Sequence, residues 1–437
     1  MRKLAFALSA ITVGLMAMAS SAGAASSFPY CSWWVKTTPE TLNVAFPDSA
    51  ATYWTTPFYA EEGLSIEVEG TYPNARYMSF NVYNEEGGSF EVGGVPSGLA
   101  DFEIDPDQGS INPFQAQGEP GGSFTVTLSS EVKKGQSNRL PIAPNGAAGK
   151  EGGAPLGFLL YRAYLPTGGN GTVKLPRLTV VKDGVRTSLS QCPKPSGKLA
   201  PGEFKTKQAT PKAQLKKALK KLHKAVKEGG SSGTAPCRGS ECPPAMEFFR
   251  ATAAATNAFF PNVNNAYVSA LFPPIPGKVV VVRGKAATTP AGESPVPWPQ
   301  NDLQLRYWSL CNNIYRSPWP VVANPESGGG TEYGCKADFE TQLSAASEYA
   351  YVVGKPGQAA AIERAGGTFI PLSTTQPHAR QILIFRNMLP NESFKFAVQD
   401  APQTNSPEET AAAMGAYYPR AYRCTLTQFK AGAAACG

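Results

Sequence analysis

The chain has 437 residues, 42% of them apolar and 17% charged, a balance that excludes an intrinsically disordered protein. Eight cysteines stand against only two histidines, His223 and His378, far from each other and from any cysteine pair, which argues against a zinc centre. The net charge of +7 is local: residues 1–24 contribute +2 and the segment 194–228 contributes +9, from eleven lysines against Glu203 and Glu228, so the remainder is −4.

Residues 1–24 combine Arg2 and Lys3, an apolar run over 4–18 and an Ala22-Gly23-Ala24 ending. This is the pattern of a secretory signal peptide, and no later apolar run is long enough for a membrane-spanning helix. The expectation is an exported, soluble mature chain whose cysteines are oxidised. Position suggests four disulfides: Cys31 with Cys192, Cys237 with Cys242, Cys311 with Cys335, and Cys424 with Cys436.

An internal echo sets the domain plan. Phe46, Pro47, Tyr53, Phe58, Gly63 and Gly70 recur as Phe260, Pro261, Tyr267, Phe272, Gly277 and Gly284 at one offset of 214. Downstream, Arg76-Tyr77-Met78-Ser79-Phe80 answers to Arg306-Tyr307-Trp308-Ser309-Leu310, and the run ending Arg162-Ala163-Tyr164-Leu165-Pro166 to the run ending Arg386-Asn387-Met388-Leu389-Pro390. The echo predicts a tandem duplication: a first β domain at 25–193, a lysine-rich linker at 194–236 and a second β domain at 237–437. Each is expected to be β-sandwich-like, because short apolar or alternating runs are broken throughout by Gly, Pro and Asn.

In chain order, Trp33, Trp34, Trp54, Trp298, Trp308 and Trp319 are candidates either for a sugar-stacking platform or, with more weight, for the cores. Strands are predicted at 64–69, 76–83, 123–128, 157–164, 178–181, 278–283, 305–311, 349–353 and 381–387. The first alternates strictly, whereas its counterpart contains Val279-Val280-Val281-Val282, so the strand is expected to be half exposed in the first repeat and more deeply buried in the second. Asp101, Glu103, Asp105 and Asp107 alternate along an extended segment. They are candidate calcium ligands, although Pro106 and the missing glycine break the EF-hand pattern, and a solvated strand edge is the simpler alternative. The run is taken to have no copy in the second repeat.

In the linker, Leu215, Leu219, Leu222 and Val226 form a narrow apolar stripe, predicting a cationic amphipathic helix. Its lysines, Lys216, Lys217, Lys220, Lys221 and Lys224 among them, could hold an anionic cell-wall polymer or a membrane surface. Specific nucleic-acid binding is not expected, since no aromatics interleave with the lysines, and a monomer is expected. Helices are also predicted at 246–258, rich in Ala, and after the Ser406-Pro407-Glu408-Glu409 capping box.

Arg76, Arg162, Arg306 and Arg386 occupy duplicated strand positions. A buried guanidinium requires a carboxylate or several carbonyls, so each is expected to pin strand to loop inside its own domain. The competing role is binding a ligand carboxylate or phosphate. Nucleophile motifs give nothing firm: Gly229-Gly230-Ser231-Ser232-Gly233 lies in the linker, outside the strand-turn-helix setting a nucleophile elbow needs. Asp48 is matched by Asn262, which argues against a duplicated catalytic acid.

The stretches around Ala51-Thr52-Tyr53-Trp54, Arg76-Tyr77-Met78-Ser79-Phe80, Phe385-Arg386-Asn387-Met388-Leu389-Pro390 and Met414-Gly415-Ala416-Tyr417-Tyr418-Pro419-Arg420 resemble uncharacterised secreted proteins of Gram-positive bacteria, and more distantly bacterial β-rich domains of unknown function. The resemblance implies export and a paired β fold, and transfers no catalytic residue. The functional expectation is a secreted or wall-associated binding or structural protein without a resident cofactor. The competing class is an extracellular hydrolase with a carboxylate-based site between the domains, whose acids need no fixed spacing.

Overall fold

A computed structural model describes residues 31–144, 149, 153–169, 171–192, 246–256, 260–432 and 436. The signal-like segment, the lysine linker with its five named lysines, His223, and the Cys237 and Cys242 pair lie outside the described residues.

The chain is mainly β, arranged as two pairs of sheets. In the first pair, one sheet runs in the order Val35–Thr37, Ala51–Tyr59, Leu156–Pro166, Ala75–Tyr83, Gly98–Ala100. The other runs Val185–Ser188, Arg177–Lys182, Leu64–Thr71, Ser123–Ser129, Arg139–Pro141. In the second pair the orders are Asn265–Phe272, Gln381–Pro390, Leu305–Ile314, Cys335–Ala337, and Thr368–Pro371, Glu348–Gly354, Val279–Lys285, Arg420–Cys424. Four strands of each sheet find a counterpart in order, the second sheets when read in opposite directions, and the first pair adds one edge strand to each sheet, Val35–Thr37 and Val185–Ser188. Even the exception is shared, since each second sheet carries one parallel pairing, Ser123–Ser129 with Arg139–Pro141 and Glu348–Gly354 with Thr368–Pro371, among antiparallel neighbours.

Side-chain periodicity explains the layering. Leu64, Ile66 and Val68 are buried while Ser65, Glu67 and Glu69 face outward, where Glu67 and Glu69 pair with Arg186 and Arg177. Val279-Val280-Val281-Val282 is buried throughout, because its strand is covered on both faces: Val280 and Val282 join the main core with Trp308 and Phe385, and Val279 and Val281 pack with Ile362, Phe369 and Phe429. The helices Ala359–Arg364 and Leu426–Ala431 supply that second cover.

The predicted strands form with extended ends, and the Pro407–Met414 helix is capped as expected, the Ser406 side chain accepting from the Glu409 N–H. The 246–258 helix does not form as predicted. Only Ala253–Thr256 is helical, because the preceding segment completes the edge of the Asn265–Phe272 strand: Phe249 and Ser269 exchange backbone hydrogen bonds, and Met246 N–H donates to Leu271 O. Buried edge groups must be paired, and that demand outweighs the modest helix preference of alanine. Disulfides join Cys31 to Cys192, Cys311 to Cys335 and Cys424 to Cys436. No helix among the described residues is long and apolar enough to cross a membrane.

Candidate functional site between the sheet pairs

Arg76, Arg162, Arg306 and Arg386 lie at the junction of the two sheet pairs. All are buried, none more than 3% exposed. Arg76 donates from Nη1 to both oxygens of Asp338 in the other sheet pair, at 2.7 and 2.5 Å, and from Nε to Gly292 O at 2.7 Å. Arg306 answers in the opposite direction, donating to Arg76 O from Nε at 2.9 Å and from Nη2 at 2.7 Å, with Nη2 also 3.4 Å from Asp101 Oδ2. The second couple is likewise exchanged: Arg162 Nη2 donates to Phe260 O and Arg386 Nη2 to Phe46 O, each at 2.7 Å or less. The expectation that each arginine serves only its own domain is therefore corrected. Arg162 does bond Asn81 and Tyr83 at home, but every one of the four also reaches across.

This exchange explains the recurrence of Phe-Pro. Phe46 and Phe260 both adopt positive φ, 56° and 52°, a conformation costly for a bulky residue. Its reward is the orientation of the carbonyl, which accepts the foreign guanidinium. Each ring also packs into the opposite sheet pair, Phe260 against Tyr83 and Phe158, Phe46 against Trp319. Between the couples, Tyr77, Tyr164, Leu165, Tyr307 and Met388 form a shared apolar cluster.

The acidic run divides by role. Asp101 is fully buried, accepts from Met78 and Phe102 N–H, and faces Arg306. Burial pushes its carboxyl up to about 6, opposed by Arg306 and by those two donors. Glu103 accepts from Ala100 N–H at 2.7 Å, Asp105 is exposed and Asp107 half-buried. Among the described residues the four carboxylates do not converge as the calcium expectation requires. The assumption that the run lacks a copy is corrected for its first half: Ala100-Asp101-Phe102-Glu103 recurs as Ala337-Asp338-Phe339-Glu340, both as 3-10 turns, whereas Asp105 and Asp107 answer to Gln342 and Ser344. Asp338 accepts from Phe339 N–H, and burial raises its pKa against the pull of Arg76.

The six tryptophans are all at least nine-tenths buried, so none belongs to an exposed sugar platform. Trp33 and Trp308 spend their indole N–H on Pro176 O and Ala287 O, and His378 is exposed. Asp48 and Asn262 keep the turn role, receiving Ala50 N–H and Asn264 N–H on their side chains. Both also enter the junction. Asp48 Oδ2 accepts from Tyr307 at 3.0 Å and Ser309 at 2.7 Å and lies 3.5 Å from Arg386; Asn262 Oδ1 lies 3.1 Å from the Tyr77 hydroxyl. Asp48 also groups with the oxidised Cys311 and Cys335, whose sulfurs are spent on each other.

A cleft of about 390 Å³ opens beside the Asn262 corner, walled by Ser89 of the first sheet pair and by Arg250, Asn265, Tyr267 and Gln403 of the second. Sequence inspection singled out none of these as a site residue. Only their meeting across the junction marks them, although Arg250 stands at the 214 offset from Lys36, a second cation.

Fold and site together define a mainly β protein of paired sheets clasped by exchanged, buried arginines. Among solved structures it is similar to an uncharacterised protein from Burkholderia cenocepacia, with a TM-score of 0.52 and 11% identity over 92% of this chain and 85% of that one. It is also similar to a protein from Vibrio parahaemolyticus, with a TM-score of 0.40 and 10% identity over 86% of this chain and 89% of that one. No family model and no curated protein matches the sequence. The Burkholderia likeness extends to the fold alone.

Proposed function

We propose that this chain is an exported, wall-associated binding or structural protein of Gram-positive type that carries out no catalysis. The observation that carries the proposal is the employment of its acids. Asp48, Asp101 and Asp338 at the junction are buried against arginines and backbone donors, and among the described residues no acid lines the cleft. A carboxylate-based hydrolase needs two acids converging on open space, so this arrangement weighs against that class. Export is supported by the signal-like first 24 residues and by three disulfides among the described cysteines.

In this reading the lysines of the linker, Lys216, Lys217, Lys220, Lys221 and Lys224 included, hold an anionic cell-wall polymer. A field of lysines on a narrow apolar stripe favours polyanions through charge, and such binding weakens as salt screens it. The test is retention of the mature chain on purified wall polysaccharide and teichoic-type polymers across a salt series, with and without residues 205–227. Retention that falls with salt and vanishes on deletion is the expected result. Unchanged retention after deletion would remove the linker from the function.

A further inference from the structure

We propose that the cleft beside Asn262 binds a monosaccharide-sized acid, held by its carboxylate on Arg250. At about 390 Å³ it falls within the range of small-molecule sites. Arg250 uses Nη1 for Gln399 O, at 2.7 Å, and for Ala401 O. Among the described residues, neither Nε nor Nη2 has a hydrogen-bond partner and no carboxylate forms a salt bridge with it. The Nε and Nη2 edge is the side of a guanidinium that takes a planar carboxylate through two parallel bonds. Half-burial lowers the Arg250 pKa, opposed by the Asp400 carboxylate, and an incoming anion would add to that opposition. The remaining walls include Tyr267 and Gln403, and Asn265, whose Nδ2 donates to the Tyr164 hydroxyl; an aromatic residue and amide residues suit a hydroxylated ring.

The corresponding corner of the first sheet pair is closed, which makes the opening a particular feature of this one. Val35 faces Thr55 as Phe249 faces Ser269, which puts Lys36 in the place of Arg250. There, however, the Phe46 ring lies against Trp319 and Asn43 exchanges hydrogen bonds of 2.9 and 2.8 Å with Val321.

The inference deepens the binding reading, since an acidic sugar is the unit from which an acidic wall glycan is built, but it is tested apart from the linker. Glucuronate and galacturonate are titrated calorimetrically into the full mature protein, with glucose and galactose as neutral controls. At least one uronate should bind at least tenfold more tightly than its neutral counterpart. Arg250→Gln should weaken that binding at least tenfold. Because this change also removes donors to Gln399 and Ala401, Ala254→Phe, which fills the cleft from an exposed wall position, should do the same with an unchanged melting temperature. No uronate binding up to millimolar concentration, equal affinity for acid and neutral sugar, or full binding by Ala254→Phe would each overturn the proposal. Loss of polymer retention on deleting 205–227 with uronate binding intact would separate the two sites.

Discussion

The two ends of the junction have the same plan and different chemistry. At one end Arg386 lies beside Asp48, whose carboxylate also collects Tyr307 and Ser309, and Asn43 and Val321 exchange hydrogen bonds across the corner. At the other, Arg162 has carbonyl, amide and phenol oxygens but no carboxylate within salt-bridge distance among the described residues, and Asn262 replaces the acid. Arg162 Nε and Asn262 Nδ2 remain buried without hydrogen-bond partners, and the cleft opens alongside. One end therefore acts as a fastener. The neutral end is less completely satisfied, which is the condition under which a site can evolve without dismantling the junction.

The contrast is exposed first by breaking what both ends depend on. Asp338→Ala strands Arg76 in a buried junction, and stranding one member of a buried pair costs about 3–5 kcal/mol. Urea unfolding should show that loss, and a change near zero would mean that water reaches Arg76. Next, Asp48→Asn should make the fastened end resemble the other. Hydrogen bonds to a charged group contribute about 1.5–3 kcal/mol, so a comparable loss in unfolding free energy is expected. The reverse change, Asn262→Asp, places a carboxylate near a guanidinium that lacks one and should stabilise by a smaller amount. Destabilisation by both changes would refute the contrast.

The smallest effect concerns pH. Burial raises the Asp101 carboxyl to about 6, above its ordinary range, so its protonated form is favoured more in the folded chain than in the unfolded one. Its contribution to stability is then complete below about pH 4 and is lost as pH rises through about 6. Stability measured for wild type relative to Asp101→Asn should therefore decline from pH 4 to pH 7. An increase over that window would show that the Arg306 attraction outweighs desolvation.

Much of the scaffold was legible because its signals are local. The 64–69 alternation and the four-valine run announced how each strand would be buried, the Ser406 capping box marked its helix, and the cysteine positions indicated the three disulfides seen. The Asp338 copy of Asp101 escaped for a concrete reason. Loop insertions move the repeat offset from 214 at Phe46 to 230 at Arg76, 237 at Asp101 and 224 at Arg162, so a search at one spacing passes over it. The 246–258 segment misled because alanine content speaks for a helix, whereas an unpaired strand edge elsewhere in the chain claimed its backbone.

The amino-acid sequence by itself determined that Arg162 and Arg386 sit in strands too apolar to be exposed, and that each must find acceptors. Only the tertiary structure decided that those acceptors would belong to the other sheet pair, that Phe46 and Phe260 would turn their carbonyls to meet them, and that Ser89 and Arg250 would share a cleft. The reason is physical. The cost of burying an unpaired charge is a property of the residue and its immediate neighbours, while the group that removes the cost may lie more than 200 positions away, and nothing in local spacing records which one it will be.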